Sequence, residues 1–255
     1  MFNRRSVLPV VTMSVIAAAG IAPIAARTNR ADRTDVYVIG TLYKRHQNVP
    51  NYDLAALRRI ITAIKPDVLV LDCTPREVDE QKVSPGKIEY PGVIFPFIRE
   101  GRYHVYAAEP KEPLFTEIVS AVAAAHDAFK KNKADAAAAF DQFQTGTYAS
   151  LIQYWQSPAE VNDDVTGAVL RAKKLLEAQL IGGAEQDGWI RWNRHWTDKI
   201  LEAAAEHPGS RILAVTGIEN RPWIVADLQK HPSLNIIDMP AWLRAHAAGE
   251  EKPQP

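Results

Sequence analysis

The chain has 255 residues, and its 30 Lys and Arg balance 30 Asp and Glu, so the formal net charge is zero. That balance argues against a nucleic-acid or anionic-membrane partner, which a basic surface would meet. With 47% hydrophobic and 24% charged residues, the chain suits one globular domain with a substantial core. A single cysteine, Cys73, excludes an internal disulfide.

Residues 1–26, MFNRRSVLPVVTMSVIAAAGIAPIAA, read as an export signal. Arg4 and Arg5 precede an apolar run that ends in Ile24-Ala25-Ala26, and no acid occurs before Asp32. Arg4-Arg5 followed by Ser6-Val7-Leu8 is similar to a twin-arginine signal, with a general secretory signal as the alternative. Pro9, Pro23 and the shortness of the run argue against a retained anchor. An exported protein, periplasmic or extracellular, is expected, with no stable membrane insertion after cleavage. Residues 27–34 read as a disordered lead-in.

The first strand is Val36 to Ile39, closed by Gly40. Asp53 is positioned to cap a helix that runs to Ile64, with Leu54, Leu57, Ile60, Ile61 and Ile64 on one face. VLVLDC, Val68 to Cys73, is apolar on both faces, as a central parallel strand should be. TPREVDEQKVSPGKIEYPG reads as a loop, VIFPFIREGR as a short helix, and YHVYAAEP as a third strand ending at Glu109. The alanine-rich stretch 113–145 predicts a helix pair broken near Asn132-Lys133. Further helices are predicted at 147–156, 164–181 and Asp187 to Glu206, with Gly182-Gly183 as a separator. A strand from Ile212 to Thr216, a helix at 221–230 and a strand at 234–238 complete the domain, and 241–255 read as a tail.

This order predicts an α/β fold: a central, mainly parallel sheet flanked by helices, in one domain at 35–240 with a helical insertion at about 113–182. Ligands of open α/β sheets bind beyond the carboxyl ends of the strands. Those ends carry Gly40-Thr41-Leu42-Tyr43, Asp72-Cys73-Thr74, Glu109 and Gly217-Ile218-Glu219-Asn220. Two ends of the form Gly-x-x-polar, from opposite parts of the chain, are expected to meet across a polar pocket.

Four stretches carry a resemblance. They are VYVIGTLY, IKPDVLVLDCTPRE, RWNRHWTDKI and RILAVTGIENRPWIVADL. In this order they resemble the TraB/GumN/PrgY and Tiki group of the EreA/ChaN-like superfamily, over roughly Val36 to Asp238. The resemblance implies a hydrolase, metal-dependent in several members, with a metal at two Gly-x-x-His histidines. Here those positions are Tyr43 and Asn220, and Trp192 stands where an arginine is expected before Asn193. Transition metals favour imidazole and thiolate ligands. No cofactor is therefore expected, because a divalent metal would have to bind without either family histidine.

Asp72 ends an apolar strand and needs a partner: it is a ligand or general base, or it pairs with Arg76. Arg76 binds an anionic group or holds Asp72 ionised. Glu89 enters the site or caps a helix, and Glu109 sits at a strand end. Asn193 shares a helical face with Trp189, Trp196 and Ile200, and there it either ties the helix to a strand end or contacts a ligand. Glu219 and Asn220 contact a ligand or cap the helix after the fourth strand. His46, three residues beyond Tyr43, could replace the missing histidine. Cys73 should face away from Asp72 and pack on a helix. Two functions follow. In the first, Asp72, Glu89 or Glu219 activates water on a small-molecule or peptide substrate while Arg76 stabilises negative charge. In the second, the same pocket binds a ligand or partner without catalysis.

Overall fold

A computed structural model describes residues 33–247. The expected export signal therefore lies outside the described residues, as do most of the lead-in and the end of the tail. Five strands form one parallel sheet: β1 (Thr34–Thr41), β2 (Val68–Leu71), β3 (His104–Ala107), β4 (Arg211–Gly217) and β5 (Leu234–Ile236). Their spatial order is β3-β2-β4-β1-β5. β1 and β2 are thus not neighbours, because β4 lies between them. The two Gly-x-x-polar ends meet as expected, since Gly40 pairs with Thr216 and Thr41 with Gly217. β1 starts at Thr34, inside the segment read as lead-in, because Thr34 and Asp35 already pair with Leu234 and Asn235.

Alternating strand residues supply two cores. On one face Tyr37, Ile39, Leu69, Leu71, Leu213 and Val215 meet Leu57, Ile61 and Ile64 of α1 (Leu54–Ile64). Asp53 caps this helix by accepting from Ala56 N at 2.7 Å, and left-handed Lys65 (φ 52°) ends it before Pro66. Cys73 joins the same core, and burial pushes its thiol pKa up, which disfavours a thiolate.

α2 (Pro75–Glu80) occupies part of the segment read as a loop. Thr74 and Glu77 form a reciprocal capping box, and Pro75 fits the first turn because no helical N–H is needed there. A π-turn (Tyr90–Ile94) leads into α3 (Phe95–Glu100). Between β3 and β4 run α4 (Leu114–Asn132), α5 (Ala134–Tyr154), α6 (Pro158–Val161), α7 (Asp164–Ile181) and α8 (Gly183–Glu206). The expected break falls at Lys133, but α5 is continuous to Tyr154 and α8 begins directly after Gly182.

On the other face Val36, Val38, Val68, Val70, Ile212 and Ala214 pack against Trp196 and Ile200 of α8. Ile224 and Leu228 of α9 (Arg221–Leu228) complete that core. Residues 239–247, largely read as tail, form α10 (Met239–Ala247), which buries Met239 and Leu243 against the first core. Among the described residues, no helix is long and apolar enough to cross a membrane.

Candidate functional site

At the carboxyl edge of the sheet, three strand ends deliver polar side chains to one place. Tyr43 follows β1 in a left-handed conformation (φ 52°) and lays its ring across Gly217. A Cβ on Gly217 would lie 2.2 Å from the Tyr43 hydroxyl oxygen, so glycine is what lets the ring reach over β4. The Tyr43 hydroxyl donates to Asp72 Oδ2 at 2.5 Å. Asp72 follows β2 and is 5% exposed. Its backbone N–H donates to the Tyr90 hydroxyl at 2.6 Å. Beyond β3 the ladder continues for two residues, with Ala108 N–H donating to Leu71 O at 2.8 Å and Glu109 N–H to Cys73 O at 3.1 Å. That extension turns Glu109 toward Asp72.

The cation that joins these acids is Lys87, not Arg76. Lys87 lies in the loop after α2; its ammonium donates to the Asp72 carbonyl and to Glu109, and is 3.8 Å from Asp72 Oδ2. Arg76 projects from α2 into solvent, with its side chain 82% exposed, and pairs with Glu80 at 2.7 Å. The capping box sets this outcome. Once Thr74 starts a helix, Arg76 falls on its outer face one turn before Glu80. The expected Asp72–Arg76 pair is therefore corrected to Asp72–Lys87–Glu109.

Beneath this group lies Glu89, 0% exposed, with neither carboxyl oxygen in a well-formed hydrogen bond. It occupies the position before the π-turn but makes no side-chain cap there. Burial pushes its pKa up to about 7, against weaker opposing effects from its own backbone and the Thr41 hydroxyl. Thr41 donates its own hydroxyl hydrogen to Thr216 O at 3.3 Å, which leaves the Thr41 oxygen able to accept a proton donor. A neutral, protonated Glu89 fits that environment. Burial also raises the pKa of Glu109, against the opposing charge of Lys87. Burial and Asp72 keep the Tyr43 phenol neutral, with a pKa well above its ordinary value. For Lys87, burial works against the charged form, but Asp72 and Glu109 outweigh it and raise the pKa.

These groups open into a cavity of about 460 Å³. Tyr43, Asp72, Lys87, Glu109 and Asn220 line its sheet end. Ile118, Val119, Val122, Trp189 and Trp192 supply an apolar part of the lining, and His126, Lys174, Glu177 and Glu185, from the helices, a second polar part. Gly188 lets α4 approach α8 there, since an added Cβ would sit 2.5 Å from a Val122 methyl carbon. At the far end Lys174 bonds Glu185 and lies 3.1 Å from Glu177, while His126 Nε2 is 2.8 Å from Glu185. The Lys174 ammonium also sits 4.1 Å from the Trp189 ring centre.

Among the remaining expected residues, Asn220 reaches the main cavity, but its amide donates to Asn193 Oδ1 at 3.2 Å. Asn193 in turn donates to Trp189 O at 2.8 Å. This pair ties α8 to the end of β4, and Asn220 makes no side-chain cap on α9. Glu219 lines a smaller adjoining cavity of about 140 Å³, where it accepts from the Tyr148 hydroxyl and from Lys173 at 3.1 Å. His46 does not stand in for the missing histidine. It is buried, Nδ1 is 2.6 Å from Tyr52 O, and Nε2 accepts from Leu42 N–H at 3.1 Å. Burial lowers its pKa, in keeping with a neutral ring.

The sheet edge does not fit the metal that the resemblance implies. Tyr43 is bonded to Asp72 and Asn220 to Asn193, and Lys87 already supplies the positive charge. The ligand atoms of His126, Glu177 and Glu185 lie within 4.8 Å of one another, but Lys174 serves that cluster as its cation. Sequence reasoning missed Lys87, His126, Lys174 and Glu185. Of these only Lys174 carried a local signal, through its spacing to Glu177 on one helix. No protein-family model, curated protein or solved structure matches this chain.

Proposed function

We propose that this chain binds a small amphipathic molecule in the cavity at the sheet edge and hydrolyses it by acid–base chemistry. The reading rests on one observation: Asp72, Lys87 and Glu109, with Tyr43, meet on the wall of a cavity that is otherwise largely apolar. Both side-chain contacts of Asp72 use Oδ2, so Oδ1 is the oxygen to take a proton from an attacking water. Lys87, whose ammonium keeps a third N–H beyond those given to the Asp72 carbonyl and to Glu109, supplies a donor for the negative charge that develops on the substrate. Asp72 then returns the proton it took to the leaving group, while Glu89, buried outside the cavity lining and with a pKa of about 7, adds no full negative charge beside it at neutral pH and below. No step uses a metal held at Tyr43 and Asn220. The resemblance to the TraB/GumN group agrees with hydrolysis, and the departures at both histidine positions require a different route. A substrate with both polar and apolar parts suits the lining.

The full chain, incubated with a panel of nitrophenyl esters and peptide amides, is expected to release product. Asp72→Asn should lower kcat/KM by at least about a hundredfold. Turnover unaffected by that change would overturn the assignment. A second reading is favoured by the lysine ion pairs that already satisfy Asp72 and Glu109: a ligand-binding protein without catalysis. Absence of all turnover, together with saturable quenching of Trp189 and Trp192 fluorescence by a panel compound, would select it.

A further inference from the structure

A second cleft, of about 630 Å³, opens beyond the carboxyl end of β5, between α7, α9 and the start of α10. It shares no lining residue with the sheet-edge cavity. Its inner wall carries Arg221, which is 7% exposed. The only side-chain hydrogen bond of Arg221 among the described residues runs from Nε to Val38 O at 2.9 Å. None of the ion pairs among the described residues includes it. A guanidinium has five N–H donors, and a buried charge is costly unless paired. Burial lowers the Arg221 pKa to about 10, against weaker opposing effects from Tyr52, Asp164, Asp238 and Asp163.

Two further arginines line the cleft. Arg171 of α7 donates to Pro222 O at 3.3 Å, which holds it beside the first turn of α9, and Arg244 of α10 flanks the opening. Neither is in an ion pair among the described residues. Asp164, Asp238 and Asp163, on the same lining, favour the charged form of Arg221 through space, but none of them forms an ion pair with it. Asp163 accepts from Thr166 N–H at 2.9 Å and from the Tyr154 hydroxyl, and Asp238 accepts from Ala241 N–H at 3.0 Å. Asp164 is exposed, so water solvates its charge. The carboxylates bond elsewhere or face water, whereas the terminal nitrogens of Arg221 have no hydrogen-bond partner in the protein among the described residues and are open to the cleft.

We infer that this cleft is a second ligand site, which takes the oxyanion of a small phosphorylated or carboxylated molecule on Arg221 and Arg171. Arginine suits that task because its planar fork matches two oxygens of a phosphate or carboxylate. Sodium phosphate and sodium acetate, titrated into the full chain at ionic strength held constant with chloride, test the inference by thermal unfolding. At least one anion should raise the unfolding temperature saturably. Arg171→Gln and Arg221→Lys should each weaken that binding by about tenfold or more, because each removes a forked donor. Arg191→Gln, which alters a surface ion pair on α8, should leave it unchanged. A response to phosphate alone identifies a phosphoryl ligand, and a response to both anions a carboxylate-tolerant site. No saturable response to either anion, or a response the same in Arg171→Gln and Arg221→Lys, would overturn the inference. Half-buried Arg171 keeps the test decisive even if Arg221→Lys does not fold.

Discussion

The two polar ends of the main cavity use the same residue types with opposite results. At the helical end Lys174 contacts Glu177 and Glu185, Lys173 lies 3.6 Å from Glu177, and His126 reaches Glu185. Burial alone would raise the pKa of Glu185, but Lys174 and His126 outweigh it and bring it below the ordinary value. At the sheet end one lysine serves Asp72 and Glu109, and Glu89 lies close enough to feel the charge without an ion pair of its own. There the pKa values of Glu109 and Glu89 go up. Cations match acids at one end and fall short at the other. The first arrangement clamps α4, α7 and α8 together, and the second keeps a proton available near neutral pH.

The largest expected effect separates the two lysines. Lys87→Met leaves Asp72 and Glu109 buried without a cation and should cost about 3–5 kcal/mol in denaturant unfolding. Lys174→Met leaves Lys173 and His126 in place and should cost only about 1–3 kcal/mol. Equal losses would break the comparison.

The next effect is on pH dependence. The Glu89 pKa is raised from 4.5 to about 7 on folding, so the folded state holds a proton that the unfolded state releases. Its contribution is fully present below about 4.5 and is lost as pH rises through about 7, a total of about 3 kcal/mol. Glu89→Gln should remove that decline, as thermal unfolding across the pH range would record. A smaller effect, about 1–2 kcal/mol, is expected for Gly217→Ala, whose methyl displaces the Tyr43 ring. Tyr43→Phe should cost about 1 kcal/mol, because Asp72 keeps Lys87.

Strands and helices were legible where periodicity or capping is local. The Asp53 cap, the apolar face of α1 and the continuous apolar run of β2 all appear as read. So does the meeting of the β1 and β4 ends, where Gly40 pairs with Thr216 and Thr41 with Gly217. α2 was overlooked, although Thr74-Pro75-Arg76-Glu77 contains its capping box, because the prolines that follow suggested a loop. α10 was overlooked because nine residues at the end of a chain resemble a tail until Met239 and Leu243 find a core. Within the site, Tyr43, Asp72, Glu109 and Asn220 were legible as strand-end residues. Lys87 was not, since its loop closes over Asp72 only in three dimensions. His126 and Glu185 lie 59 residues apart, and their meeting depends on how α4 packs on α8. Arg76 misled because closeness in sequence to Asp72 suggested a pair that helix geometry forbids.

Carboxyl-carbon NMR titration of the glutamates tests the central contrast most directly, with Glu89→Gln and Glu185→Gln assigning the two signals. The account predicts that Glu89 titrates near pH 7 and Glu185 below its ordinary 4.5. Glu89 titrating with the surface glutamates would contradict it.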